Sequence, residues 1–99
     1  MKRAYTIEEI KERLLPVLSA VPVRKAILFG SYAKGTATEK SDVDLMVDSG
    51  LKGLEFCGFC YYIEKALGLN ADVFDVTHVI KGSRIDKEIL TTGVIIHEY

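Results

Sequence analysis

Leu28-Phe29-Gly30-Ser31-Tyr32-Ala33-Lys34-Gly35, followed by Ser41-Asp42-Val43-Asp44-Leu45, is the stretch that decides how this chain folds. Gly30-Ser31 closes one apolar run and Asp42-x-Asp44 opens the next, with ten residues between Ser31 and Asp42. Val23 to Phe29 reads as a buried strand. Val43, Leu45 and Val47 alternate with Asp42, Asp44, Met46 and Asp48, which predicts a second strand with one apolar and one acidic face. Residues two apart on a strand project to the same side, so the Asp42 and Asp44 carboxylates share a face. Two carboxylates this close repel each other unless a cation sits between them, and Mg²⁺ suits the task, because it binds one or two carboxylates and fills its octahedron with water and phosphate oxygens. Gly30 has no side chain, so backbone can approach a phosphate closely. Ser31 adds a hydroxyl, and the turn that follows offers N–H groups to an anion. The pairing points to chemistry on a nucleoside triphosphate. The plainer alternative, a glycine turn beside a solvated acidic strand end, is outweighed by the strand context on both sides.

Outward from this stretch, the chain alternates between helical and extended patterns. Thr6-Ile7-Glu8-Glu9 is a capping-box start, and Ile7, Ile10, Leu14, Val17 and Leu18 follow at helical spacing. Pro16 removes one backbone bond, so this helix is expected to kink or stop early, with Pro22 marking the turn after it. Ser31 to about Gly35 predicts a short helix or turn, and Thr36 to Ser41 a polar loop. Leu54 to Leu67 reads as a helix capped by Gly68. Ala71 to Val76 reads as a third strand. Ser83, with Asp86 three residues on, starts a last helix that Gly93 ends, and Val94-Ile95-Ile96-His97 makes a terminal strand. The predicted class is α/β (α+β): a small mixed sheet with helices packed mainly on one face.

Composition bounds the partners. Ninety-nine residues make one small domain, residues 1–99, with a modest core. A chain 48% hydrophobic and 27% charged belongs to the ordinary globular class, not the disordered one. A formal net charge of −1 lacks the basic surplus of a duplex-binding protein and argues against direct nucleic-acid binding. It also gives little self-repulsion, which favours homo- or hetero-oligomers. Met1-Lys2-Arg3 could open a signal peptide, but Glu8, Glu9, Lys11, Glu12 and Arg13 stand where its apolar segment belongs. No apolar run approaches the ~20 residues that span a bilayer. The expected location is cytoplasmic.

The run Gly30-Ser31, Ala33, Gly35, Ser41-Asp42-Val43-Asp44-Leu45 resembles the signature of the polymerase-β-like nucleotidyltransferase superfamily, and most closely its minimal nucleotidyltransferase (MNT) domains, of about this size. The resemblance takes in the leading helix, the Leu-Phe-Gly-Ser strand end, a third-strand Asp and the segment from Ile89-Leu90 to Gly93-Val94-Ile95-Ile96. It implies a nucleotidyltransferase-like fold with catalytic Asp42, Asp44 and Asp72. It implies a two-metal Mg²⁺ site on the same three carboxylates, and Gly30 and Ser31 at the triphosphate. Asp72 would position or deprotonate the acceptor hydroxyl. Asp75, three residues on, would face the other way on a regular strand, but a bulge could exchange the two. Larger members carry extra domains for the acceptor, and this chain has no room for one. The minimal members are similar to the antitoxin half of toxin–antitoxin pairs, whose partner is a small helical HEPN-family toxin. The implied activity is AMPylation, the transfer of AMP from ATP to a tyrosine hydroxyl of that partner. The alternative is a catalytically idle module that neutralises its partner by occlusion.

Other residues have blander readings. Cys57-Gly58-Phe59-Cys60 has redox-motif spacing, but helical residues precede Cys57, whereas redox pairs open a helix. Two small buried side chains on adjacent turns account for it. Zinc would need His78 and His97, neither at finger-like spacing. The helix bearing Phe56, Phe59, Tyr61, Tyr62 and Ile63 is either buried centrally or carries a patch for a partner. Lys34 reads as solvated and Asp48 as a turn residue. Tyr5 and Tyr99 carry no readable role.

Overall fold

The computed structural model describes residues 4–21 and 23–98. Met1, Lys2, Arg3, Pro22 and Tyr99, and with them the turn expected at Pro22, lie outside the described residues. Helix α1 (Ile7–Ala20) begins with the expected box: Thr6 Oγ1 accepts the Glu9 N–H at 3.1 Å, and the Glu9 carboxylate accepts the Thr6 N–H at 2.9 Å. Pro16 does not stop this helix, which continues to Ala20. The proline withdraws a donor from the Glu12 carbonyl, on the exposed side of the helix.

Strand β1 (Lys25–Phe29) runs into the four-residue helix α2 (Ser31–Lys34), and strand β2 (Val43–Asp48) follows a polar loop. Helix α3 (Leu54–Leu67) crosses over to strand β3 (Ala71–Asp75), and a single 3₁₀ turn, Val76–His78, follows directly. Helix α4 (Arg84–Thr92) then leads into strand β4 (Val94–Glu98). The sheet order is β3-β2-β1-β4. β1 is antiparallel to β2 and β4, while β2 and β3 are parallel, joined by α3. The expected mixed sheet is therefore present.

The alternation of β2 divides the molecule. Val43, Leu45 and Val47 point with Ala26 and Leu28 into the main core, against Ile10, Leu14 and Leu18 of α1 and Phe59, Ile63 and Leu67 of α3. Burying one such side chain is worth about 1.5–3 kcal/mol, so this face holds the sheet to its helices. α3 is buried along one stripe only. Tyr61 and Tyr62 lie on its outer side, 56% and 61% exposed, with their rings edge-on at 5.6 Å. Tyr5, unreadable in the sequence, ties α1 to α3: its hydroxyl donates to the Leu67 carbonyl at 2.9 Å, and Arg13 lies over its ring. The opposite face of the sheet carries Ile27, Phe29, Asp44 and Asp72, and only α4 packs there, with Ile89 buried and Gly93 against Ile27. Among the described residues no helix is long and apolar enough to cross a membrane.

Candidate active site

Strand register assembles the site. Phe29 pairs with Asp44 across β1–β2, and Asp44 pairs with Asp72 across β2–β3. One row of the thinly covered face therefore reads Phe29, Asp44, Asp72, with Gly30 just past its end. The next row is Ile27, Met46 and Phe74, an apolar floor in which the Phe29 and Phe74 rings lie 6.1 Å apart. The β2–β3 ladder runs in register throughout β3, without the shift that interrupts β1–β4 at Ala26/Ile27. This regularity puts Asp72 beside Asp44 and turns Asp75 to the opposite face.

Gly30 occupies φ 75°, ψ −151°, a region open essentially to glycine alone. A Cβ here would collide with the Asp44 carboxylate. The missing side chain thus lets the turn and the acid lie against each other. The Gly30 N–H donates to Thr92 Oγ1 at 3.0 Å, and the Gly30 carbonyl accepts the Lys34 N–H at 3.0 Å. Ser31 opens α2, where the first-turn N–H groups have no acceptor within the helix and can meet an anion. Tyr32 is buried and anchors that short helix in the core.

The electrostatics single out Asp44. Burial, then the charges of Asp72, Glu88 and Asp42, and a hydrogen bond with Asp72 raise its pKa to about 6. Glu88, on α4, was not among the residues singled out in the sequence. It lies with Thr92 on the stripe that carries Ile85 and Ile89, and that i, i+4 spacing next to an apolar stripe is the only signal the sequence holds. As they stand, no three Asp, Glu, His or Cys side chains among the described residues converge on a metal position. The donor set nonetheless fits a divalent cation: it is all oxygen, and its crowding is what a bound positive charge relieves.

The remaining sequence candidates fall elsewhere. Asp75 is 2% exposed and accepts from Ser49 N–H (3.2 Å), Ser49 Oγ (2.7 Å), Thr77 N–H (3.1 Å) and Thr77 Oγ1 (2.6 Å). Asp48 closes β2 opposite Lys25, which pairs with Glu98 at 3.6 Å, two rows from Asp44. Lys34 is exposed. Cys57 and Cys60 are both free thiols on α3; Cys57 is exposed, not buried as expected, and burial pushes the Cys60 thiol up.

The nucleotidyltransferase-domain family model matches residues 6–91, which span the glycine turn and the acidic row. The chain belongs to this family. A nucleotidyltransferase relative in Methanocaldococcus jannaschii, named as a protein adenylyltransferase, is 35% identical, over 83% of this chain and 92% of its own. Among solved structures, a toxin–antitoxin complex with AMP-PNP superposes with TM-score 0.76 at 20% identity, over 90% of this chain and 73% of that one. A complex of MNT antitoxin with a tri-AMPylated HEPN toxin of Shewanella oneidensis superposes with TM-score 0.71 at 16% identity, over 95% and 74%. These two likenesses establish the nucleotidyltransferase fold.

Proposed function

We propose that this nucleotidyltransferase acts as a single cytoplasmic domain, residues 1–99, that transfers AMP from ATP to a tyrosine hydroxyl of a partner protein, as the antitoxin of a pair with a HEPN-family toxin. The observation that carries the reading is the Gly30 turn seated on Asp44, with Asp72 next in the row. The adenylyltransferase relative and the AMPylated toxin complex supply the acceptor class.

Each residue then has a task. Gly30 and Ser31 receive the triphosphate at the mouth of the turn. Asp42 and Asp44, with Asp72 as a third donor, would hold Mg²⁺, which when bound neutralises the phosphate charge and acidifies an attacking hydroxyl. Asp72 lies on the side of the row away from Gly30, towards the open edge of the sheet, where the acceptor can enter. The acceptor oxygen attacks the α-phosphorus, its proton passes to the Asp72 carboxylate, and the bond to the α,β-bridging oxygen breaks. Pyrophosphate leaves, and AMP stays on the acceptor oxygen.

Label transfer tests this. ATP labelled at the α- or the γ-phosphate is supplied with Mg²⁺ in lysate of the source organism, using wild type and Asp42→Asn/Asp44→Asn. A protein band labelled only from the α-phosphate, absent with the variant and carrying AMP on tyrosine, is the expected result. γ-Label overturns the reading in favour of kinase chemistry. No label, with the partner present and unmodified, overturns it in favour of occlusion.

A further inference from the structure

We propose that Thr92 is a positioning residue for nucleotide transfer: from α4 it holds the Gly30 turn, and through that turn the Asp44 carboxylate, in the arrangement that receives the triphosphate. The inference rests on the nucleotidyl-transfer reading and adds to it a residue outside the glycine turn and the acid row.

Glycine reaches this conformation without strain but reaches many others as readily, so its contacts must select it. Three contacts do so. The Asp44 carboxylate fills the space where a Cβ would stand. The Lys34 N–H holds the carbonyl side at 3.0 Å. On the amide side, the partner is Thr92 Oγ1, 62 positions later in the chain. The Thr92 hydroxyl has a single proton, which goes to the Glu88 carbonyl at 2.7 Å, so a lone pair is left to face Gly30. The chain of donors runs from Gly30 N–H to Thr92 to Glu88, and its direction is fixed. Thr92 itself has little freedom. The next residue, Gly93, sits so close to β1 that a Cβ there would lie 2.9 Å from Ile27 Cγ2. Because the Gly30 N–H is already engaged from behind, the turn presents Ser31 and the N–H groups after it to the triphosphate. A turn released at this amide could rotate Gly30 off Asp44 and misplace both halves of the site at once.

The neighbouring Thr91 supplies an internal control. Its hydroxyl also turns back on the helix, to the carbonyls of Lys87 at 2.9 Å and Glu88 at 3.3 Å, but it is exposed and has no bond to the turn.

The experiment compares Thr92→Val, Thr92→Ser and Thr91→Val with wild type. Three quantities are read: exchange of the Gly30 amide hydrogen by NMR, affinity for Mg²⁺·ATP by calorimetry, and the initial rate of α-label transfer. Valine keeps the shape of threonine and removes the hydroxyl. For Thr92→Val we expect faster Gly30 exchange, and binding and transfer both weaker by about 10- to 100-fold, the scale of a small misplacement in a reactive site. Thr92→Ser restores all three, and Thr91→Val leaves all three at wild-type values. Fast Gly30 exchange in Thr92→Val with wild-type binding and transfer overturns the proposal. So does a Thr91→Val protein as impaired as Thr92→Val, which would reduce the effect to helix stability. If Thr92→Val melts too low to assay, Thr92→Ala against Thr91→Ala in the cold makes the same comparison. A wild type that neither binds ATP nor transfers label fails one step earlier, at the nucleotidyl-transfer reading, and removes this inference with it.

Discussion

Asp44 and Asp75 lie on adjacent strands and face opposite sides of the sheet, and their surroundings have opposite effects on a carboxylate. Asp72 stands beside Asp44, whose pKa rises to about 6 through burial and the charges of Asp72, Glu88 and Asp42. Around Asp75 burial also pushes upward, yet hydrogen bonds from the Thr77 and Ser49 hydroxyls and backbone N–H groups outweigh it and bring the carboxyl down to about 2. The direction of the shift separates the two jobs. A carboxylate saturated with donors stabilises the fold. A carboxylate crowded by its own kind weakens the fold and leaves a site that attracts positive charge.

The comparison can be broken most directly on the acid face. Asp42→Asn/Asp44→Asn should lower nucleotide transfer by at least about 10³-fold, a loss on the scale of removing groups that stabilise developing charge. The same variant, free of metal at pH 7, should melt no lower than wild type. The sign follows from Asp44. With its folded pKa raised above 3.8, its protonated form favours the fold below about pH 4, and that contribution is lost as pH rises through 6. A clear fall in Tm for the double variant would show that the acids support the fold after all. Asp75→Ala should do the reverse, leaving the buried Ser49 and Thr77 donors without an acceptor. The expected cost is about 3 kcal/mol by urea denaturation, a fall in Tm of roughly 12 °C or more. Asp72→Asn, by contrast, should abolish transfer with little change in Tm.

Acid sharpens the contrast further. The folded pKa of Asp75 lies below its ordinary 3.8, so its contribution is complete above about pH 5 and is lost as pH falls through 4 towards 2. Urea titrations over that range should show wild type losing roughly 2 kcal/mol that Asp75→Asn does not lose. The smallest effect is expected for Thr77→Val, which removes one of the four donors. It should cost about 1 kcal/mol and leave nucleotide transfer unchanged. An activity loss there would place the Asp75 pocket inside the site.

Much of this was legible in the sequence, for a physical reason. Alternation on β2 turns Asp44 away from the face of Val43, Leu45 and Val47, as the sequence pattern states; Asp42 lies one residue before the strand, and its charge reaches Asp44. The choice of Asp72 over Asp75 needed the β2–β3 register, because a single bulge would have exchanged them. Glu88 and Thr92 were not legible. Their partners lie across the molecule, and within their own helix they read as polar residues beside a narrow Ile85–Ile89 stripe. Pro16 left two outcomes open, a kink or an early stop, and the run of α1 to Ala20 excludes the stop.

The hydrogen bond from Gly30 to a residue 62 positions later has a consequence for timing. A ribosome adds about 5–20 residues per second, so roughly 3–12 s separate the synthesis of the turn from that of its acceptor. Asp42, Asp44 and Asp72 are all made within that interval, while nothing yet secures the amide of the turn. The amide of the turn is therefore secured only after α4 has been made.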